Sequence, residues 1–261
     1  MKALQFLCAG LLATCSFSAA AVGNLADVAV FDRSEGRQLQ VYWHEGRAYV
    51  VGKPGNEYQL AVRSRQGEDV LAVMSVDGVN VISGETASTQ QSGYVLAPWR
   101  ALEVKGWRKD LSRTAAFYFT SLSDSYAART GRPDNVGAIG VALFRKKRPE
   151  PAADISMLSR QAPAAAAASG ASAPAREEAE IRSADRKEKL GTGHGRSEAS
   201  HARQVSFDRA SSEPAETVVI YYDSYRNLLA RGIVPPVPQP QPQPRRLSPN
   251  PFPGFVADPP A

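Results

Sequence analysis

One string concentrates the residue types that anion binding and proton transfer use: Gly191-Thr192-Gly193-His194-Gly195-Arg196. Closely spaced glycines let several backbone N–H groups converge on one anion, and Arg196 would add a full positive charge. The candidate binding residues are therefore Gly191, Gly193, His194, Gly195 and Arg196. The competing reading, which the sequence favours, is a tight connector leading the chain back to a folded body. A dinucleotide or P-loop site does not follow. No strand pattern precedes the string, no helical pattern follows it, and the Lys-Ser/Thr pair of a P-loop is missing.

His194, Glu198 and His201 are spaced i, i+4 and i+7. On a helix they would share a face and could meet a zinc ion. Gly195 and Ser197 argue against a helix, and the spacing is not the His-Glu-x-x-His of a metalloprotease, so a solvated polar segment is the expectation. Asp77 and Asn80 are calcium-ligand types, yet the Asp77-Gly78 turn already accounts for the aspartate and EF-hand spacing is absent. Trp99, Trp107, Tyr94 and Tyr126 could line a carbohydrate-binding face, although aromatics of a β-sandwich more often belong to its core. There is no Gly-x-Ser-x-Gly elbow and no Ser-x-x-Lys pair. Paired carboxylates for glycoside hydrolysis cannot be read from a sequence, because their separation is set in three dimensions. No cofactor is implied.

The elements that would position these residues are strands. Leu39, Val41 and Trp43 alternate with Gln38, Gln40 and Tyr42, and His44-Glu45-Gly46 turns the chain into a partner strand at Ala48 to Val51. Tyr58, Leu60 and Val62 alternate with Gln59, Ala61 and Arg63. Val70 to Val76 runs into Asp77-Gly78, the strongest hairpin signal in the chain, because a type I′ turn needs positive φ at both central residues. Val79, Val81 and Ile82 would continue the return strand. Further strands are expected at Gly93 to Leu96, Ala101 to Trp107, Thr114 to Thr120 and Val136 to Phe144, with a capped helical turn at Asp124-Ser125. The fold class is mainly β: an antiparallel sandwich or open barrel with one or two short helices.

Around this body, residues 25–147, lie segments of other composition. Residues 1–21 read as a signal peptide: Lys2, an apolar run from Ala3 to Thr14, and small residues Ala19-Ala20-Ala21 before a cleavage point. Both cysteines, Cys8 and Cys15, fall inside it, which denies the mature chain a thiol nucleophile or a disulfide framework. Leu12-Ala13-Thr14-Cys15 resembles a lipobox, so a lipid anchor at Cys15 is the minor alternative. Residues 148–188 are rich in alanine, proline and charge and read as a disordered linker. Residues 189–234 form a strand-helix island expected to pack on the sandwich, with Thr217 to Tyr222 as its strand and Asp223-Ser224 capping its helix. Residues 235–261 are a proline-rich tail whose alternating Pro and Gln favour polyproline II.

Several strings occur together: Ser75-Val76-Asp77-Gly78-Val79-Asn80-Val81, Gly106-Trp107-Arg108, Asp124-Ser125-Tyr126-Ala127-Ala128-Arg129-Thr130-Gly131 and Leu190-Gly191-Thr192-Gly193-His194-Gly195. In this order they resemble a family of uncharacterised proteobacterial exported, periplasmic proteins. The resemblance covers roughly residues 58–144 and 190–234. It implies that the late island belongs to the same folded unit, and it implies no activity. In that pattern an acidic residue follows soon after the glycine string; here Ser197 precedes Glu198.

The chain carries a net charge of +5 with its bases scattered. Nucleic acid is a poor partner, since export denies access and no basic stripe with interleaved aromatics exists. No apolar run approaches the ~20 residues of a membrane-spanning helix. The expectation is a periplasmic or secreted protein of the cell envelope with a non-enzymatic binding or structural role. Its partner would be an envelope protein or polymer, met at exposed strand edges or through the tail in an aromatic groove. The alternative is a hydrolase of an envelope polymer, with His194 as general acid or base and Asp124 or Asp223 assisting.

Overall fold

The computed structural model describes residues 21–148 and 189–236, which form two sheets of seven strands facing one another as a sandwich. The segments expected to be a signal peptide, up to Ala20, a disordered linker, beyond Arg148, and a proline-rich tail, beyond Pro236, lie outside the described residues. The first sheet holds β1 (Ala26–Asp32), β2 (Arg37–Gln38), β5 (Glu57–Ser64), β9 (Ala101–Val104), β10 (Gly106–Arg108), β11 (Arg113–Ser121) and β13 (Leu190–Ala199). The second holds β3 (Val41–His44), β4 (Arg47–Gly52), β6 (Val70–Val76), β7 (Val79–Asn80), β8 (Tyr94–Leu96), β12 (Ala138–Arg145) and β14 (Glu216–Ser224). Two short helices, α1 (Tyr126–Arg129) and α2 (Tyr225–Ala230), complete the described fold.

Alternation decides which face of each strand meets the other sheet. Tyr58, Leu60 and Val62 of β5 point into the core with Val28 and Val30 of β1, against Met74, Val76, Ile139, Val141 and Ile220 of the second sheet. Full burial of one such side chain is worth roughly 1.5–3 kcal/mol. Tyr58 stacks on Phe119 at 4.3 Å between ring centroids and on Phe117 at 5.3 Å. Asp77 and Gly78 adopt φ of 53° and 74°, the positive pair that the type I′ hairpin requires. Ser125 and Ser224 each accept the backbone N–H three residues on, Ala128 and Asn227, and so cap α1 and α2.

Four sequence expectations are corrected. Residues 37–43 are not one strand: Arg37–Gln38 pairs with β1 and Val41–His44 with β4, so the chain changes sheet at Leu39-Gln40. Ala101 to Trp107 is also split, because at Gly106 the backbone comes so close to β11 that an added Cβ would sit 1.9 Å from the Ala115 carbonyl oxygen. The return from the Asp77-Gly78 turn stops at Asn80, whose Oδ1 accepts from the N–H groups of Ile82 and Ser83 and ends the strand. Finally, residues 190–224 do not merely pack on a finished sandwich. β13 pairs with β11 along Leu190–Ala199, and β14 inserts between β12 and β4. β14 runs antiparallel to β12 and parallel to β4, the single parallel pair among the described strands.

Candidate functional site

The glycine string is strand β13, and that overturns its geometry as an anion cradle. A cradle needs successive N–H groups curved toward one point. An extended strand sends them alternately to either side. Gly191 and Gly193 are cross-strand partners of Thr120 and Tyr118. The N–H groups of Leu190 and Thr192 point the other way, to the carboxylates of Asp223 and Asp77. The glycines answer to space instead. A Cβ on Gly191 would lie 2.6 Å from Ser125 Cβ, and one on Gly193 would lie 2.2 Å from the Tyr118 ring.

The charged members of the string are also engaged. Arg196 forms a two-pronged contact with Glu57 at 2.7 and 2.9 Å and reaches Glu198 at 2.6 Å. Arg33 bridges the same two carboxylates from the other side. Hydrogen bonding from Arg196, then the charges of Arg196 and Arg33, hold Glu57 below the usual carboxylate range. His194 is exposed, with its ring 5.5 Å from that of Tyr126. Packing against its surroundings, and secondarily repulsion from Lys109 and Arg129, lowers its pKa and favours the neutral ring. Asp124 accepts from the Ser121 hydroxyl, and Asp223 accepts from the N–H groups of Leu190 and Ser224 and the amide of Asn227. Both carboxylates expected to assist His194 thus have other duties.

An extended strand keeps a spacing of four on one face but not a spacing of seven. The register of β13 shifts between His194 and Ser197, Glu198 is paired with Arg33 and Arg196, and His201 lies beyond the strand's end at Ala199, so the three do not form a ligand set. Among the described residues no group of three or more His, Cys, Asp or Glu is arranged to hold a metal ion. The four aromatics do not make one open face either. Trp107 is buried and donates to the Gly193 carbonyl at 3.3 Å, whereas Trp99 is exposed. His44 lies at the β3–β4 hairpin, 3.9 Å from Glu45.

Two features were missed. The first is a polar chain buried between the sheets. Asp77 accepts the Gly137 N–H and the Tyr222 hydroxyl on one oxygen, at 2.9 and 2.6 Å, and the Thr192 N–H on the other, at 2.8 Å. Tyr222 has a single hydroxyl hydrogen, so it must accept from Thr192 Oγ1 at 2.6 Å. Thr192 must then accept from Tyr58 at 2.6 Å. Donation therefore runs one way, from Tyr58 through Thr192 and Tyr222 to Asp77, and ends on an ionised oxygen. Burial opposes that ionisation and raises the Asp77 pKa to about 6, while the donated hydrogen bonds and Lys189 pull it down. Burial, then the nearby Asp77 charge, pushes both tyrosines well above their ordinary value. The chain joins β5 and β13 of one sheet to β14 and the β6–β7 turn of the other. All four residues are almost wholly shielded from solvent, which keeps the cluster out of reach of an external substrate.

The second is a groove of about 480 Å³ at the margin of the second sheet. On its β4 side, β14 is paired only from Ile220 onward, leaving Glu216–Val219 with no strand neighbour there among the described residues. The groove's lining includes Trp43, on the face of the sheet that carries Ala48 and Ile220, Arg47 and Tyr221, on the opposite face, and Val22 to Asn24. The Glu216 carboxylate holds that last segment by accepting from the N–H groups of Asn24 and Leu25. Trp43 is 59% exposed, and Arg47 lies 5.7 Å over the Tyr221 ring. Trp43 and Tyr221 alternate regularly in sequence; only the stop of β4 at its hairpin makes them line an opening. Searches against protein-family profiles, curated proteins and solved structures found no match to this chain.

Proposed function

We propose that this is a non-enzymatic protein of the cell envelope, exported to the periplasm or beyond, that binds an extended polypeptide or polymer at the open margin of its second sheet. The observation that carries this reading is the groove: an unpaired strand edge beside an exposed tryptophan, a tyrosine and an arginine. An unpaired edge offers main-chain hydrogen bonds to an extended ligand, and flanking aromatics give it apolar contact. The hydrolase alternative loses support, because the carboxylates it needs beside His194 are engaged in capping and turn contacts.

The test places a photocrosslinking residue at position 43 in the full chain, expressed in its native envelope, and at Leu111 as an exposed control site. The proposal expects a discrete adduct from position 43 that the control does not give. A His194→Ala variant that abolishes an envelope phenotype, with no position-43 adduct, would favour the hydrolase instead.

A further inference from the structure

We infer that His194, Lys109 and Arg129 form a binding site for a phosphate monoester, free or at the head of a lipid, beside β13 of the first sheet. The site shares no residue with the groove and stands independently of it. Three elements bring its residues together. His194 is the cross-strand partner of Phe117, so its side chain leaves β13 on the face that Phe117 turns to the core. There its ring lies 5.5 Å from that of Tyr126 on α1, and Tyr126 in turn lies 4.9 Å from Trp107 on β10. Lys109 follows Trp107 by two residues at the end of β10, and alternation directs both to one side. Arg129 follows Tyr126 by three residues on α1, the spacing of one helical face. The aromatic pair is thus the hub around which both cations approach His194. Their charges reach its ring, where they add to burial in disfavouring the protonated form.

The two cations lack a counter-charge. Among the described residues neither Lys109 nor Arg129 has a carboxylate partner. The acids on the same elements have other uses: Asp110 accepts from Ser112 and Arg113 in its own turn, and Asp124 accepts from Ser121. Glu57 is the cross-strand partner of Tyr118 and so lies on the outer face of the sheet, where it and Glu198 take Arg33 and Arg196. Like charges gathered in this way repel one another, and an anion between them removes that repulsion. Two full charges match a dianion better than a carboxylate, and a phosphate monoester, with its second pKa of about 6, is a dianion at neutral pH. Its oxygens can take donors from three directions: the Lys109 ammonium, the Arg129 guanidinium and a His194 ring N–H. Buried Trp107 and half-buried Tyr126 back the site with an apolar wall, which strengthens charged hydrogen bonds made against it. A dianion held there acts on the His194 ring in the opposite sense to the two cations and favours the imidazolium.

The experiment follows the ring protons of the three histidines in the purified full chain by NMR across pH. Inorganic phosphate is present at about 20 mM, enough to fill a site with a Kd of about 1 mM, and the control is sodium chloride of equal ionic strength. Phosphate should raise the His194 midpoint by about half a pH unit, a threefold change in proton affinity, and leave His44 and His201 unmoved. In the double variant Lys109→Gln, Arg129→Gln, at two exposed positions, the midpoint in chloride should already be higher, because the repulsion is gone, and phosphate should add nothing. Phosphatidylcholine vesicles doped with phosphatidic acid, or with phosphatidylserine to equal surface charge, separate the two sources. Sedimentation with the phosphatidic acid vesicles alone, lost in the double variant, assigns the lipid headgroup; a phosphate response without sedimentation assigns the free anion. The inference is overturned by no midpoint rise above chloride together with no preference for phosphatidic acid. It is equally overturned by either response persisting in the double variant.

Discussion

Asp77→Asn keeps the shape of a buried side chain and removes its ability to ionise. In the native protein Asp77 is fully buried, and its pKa is raised from 3.8 to about 6, chiefly by burial. A carboxyl that holds its proton more tightly when folded stabilises the fold most at low pH. That contribution is complete below about pH 4 and is lost as pH rises through about 6. At roughly 1.4 kcal/mol per tenfold change in proton affinity, the loss amounts to about 3 kcal/mol. The asparagine variant has no such slope. Its amide oxygen can still accept from Gly137 and Tyr222, but its NH2 group meets the Thr192 N–H donor to donor, a penalty of about 1–3 kcal/mol at every pH. Urea unfolding of both proteins from pH 4 to 7.5 measures the difference directly, since other titrating groups cancel. The native advantage should shrink by about 3 kcal/mol between pH 4 and 7. A constant difference would show that Asp77 does not titrate in this range. A growing one would show that the three donors outweigh burial, and the reasoning would be refuted.

Gly193→Ala forces a methyl group into the Tyr118 ring, which faces it across the β11–β13 ladder. It should cost about 1–3 kcal/mol in urea denaturation, as overpacking does, and pairing with Tyr118→Ala should recover most of that. Ser224→Ala removes the hydroxyl that caps α2. A loss of about 1 kcal/mol is expected, with faster amide exchange at Asn227 and no change at Val141.

Much of the sandwich was legible because its strands follow the simple period of two. Tyr58, Leu60 and Val62 alternate in sequence and share the core face in the fold. Asp77-Gly78 announced its turn, and Ser125 and Ser224 announced their helices. What escaped was written in contacts between distant residues. β13 has three glycines where a strand ordinarily carries branched or aromatic side chains, and their use is visible only once Tyr118, Ser125 and Ala116 stand opposite them. The first strand, Ala26–Asp32, was not marked off as a separate element either. Asp77 was explained by its turn, so nothing pointed to its second role as the end of a hydroxyl chain from Tyr58. The groove exists because β4 starts late opposite β14, a matter of register that no local pattern encodes.

The account rests on β13 and β14 being structural members of the two sheets, although they follow the rest by a long interval in sequence. Native-state amide hydrogen exchange of the full chain tests this most directly. Thr192, Ile220 and Tyr222 should exchange as slowly as Val62 and Val141, and only through global unfolding. Fast exchange at those three positions, while Val62 and Val141 stay protected, would contradict it.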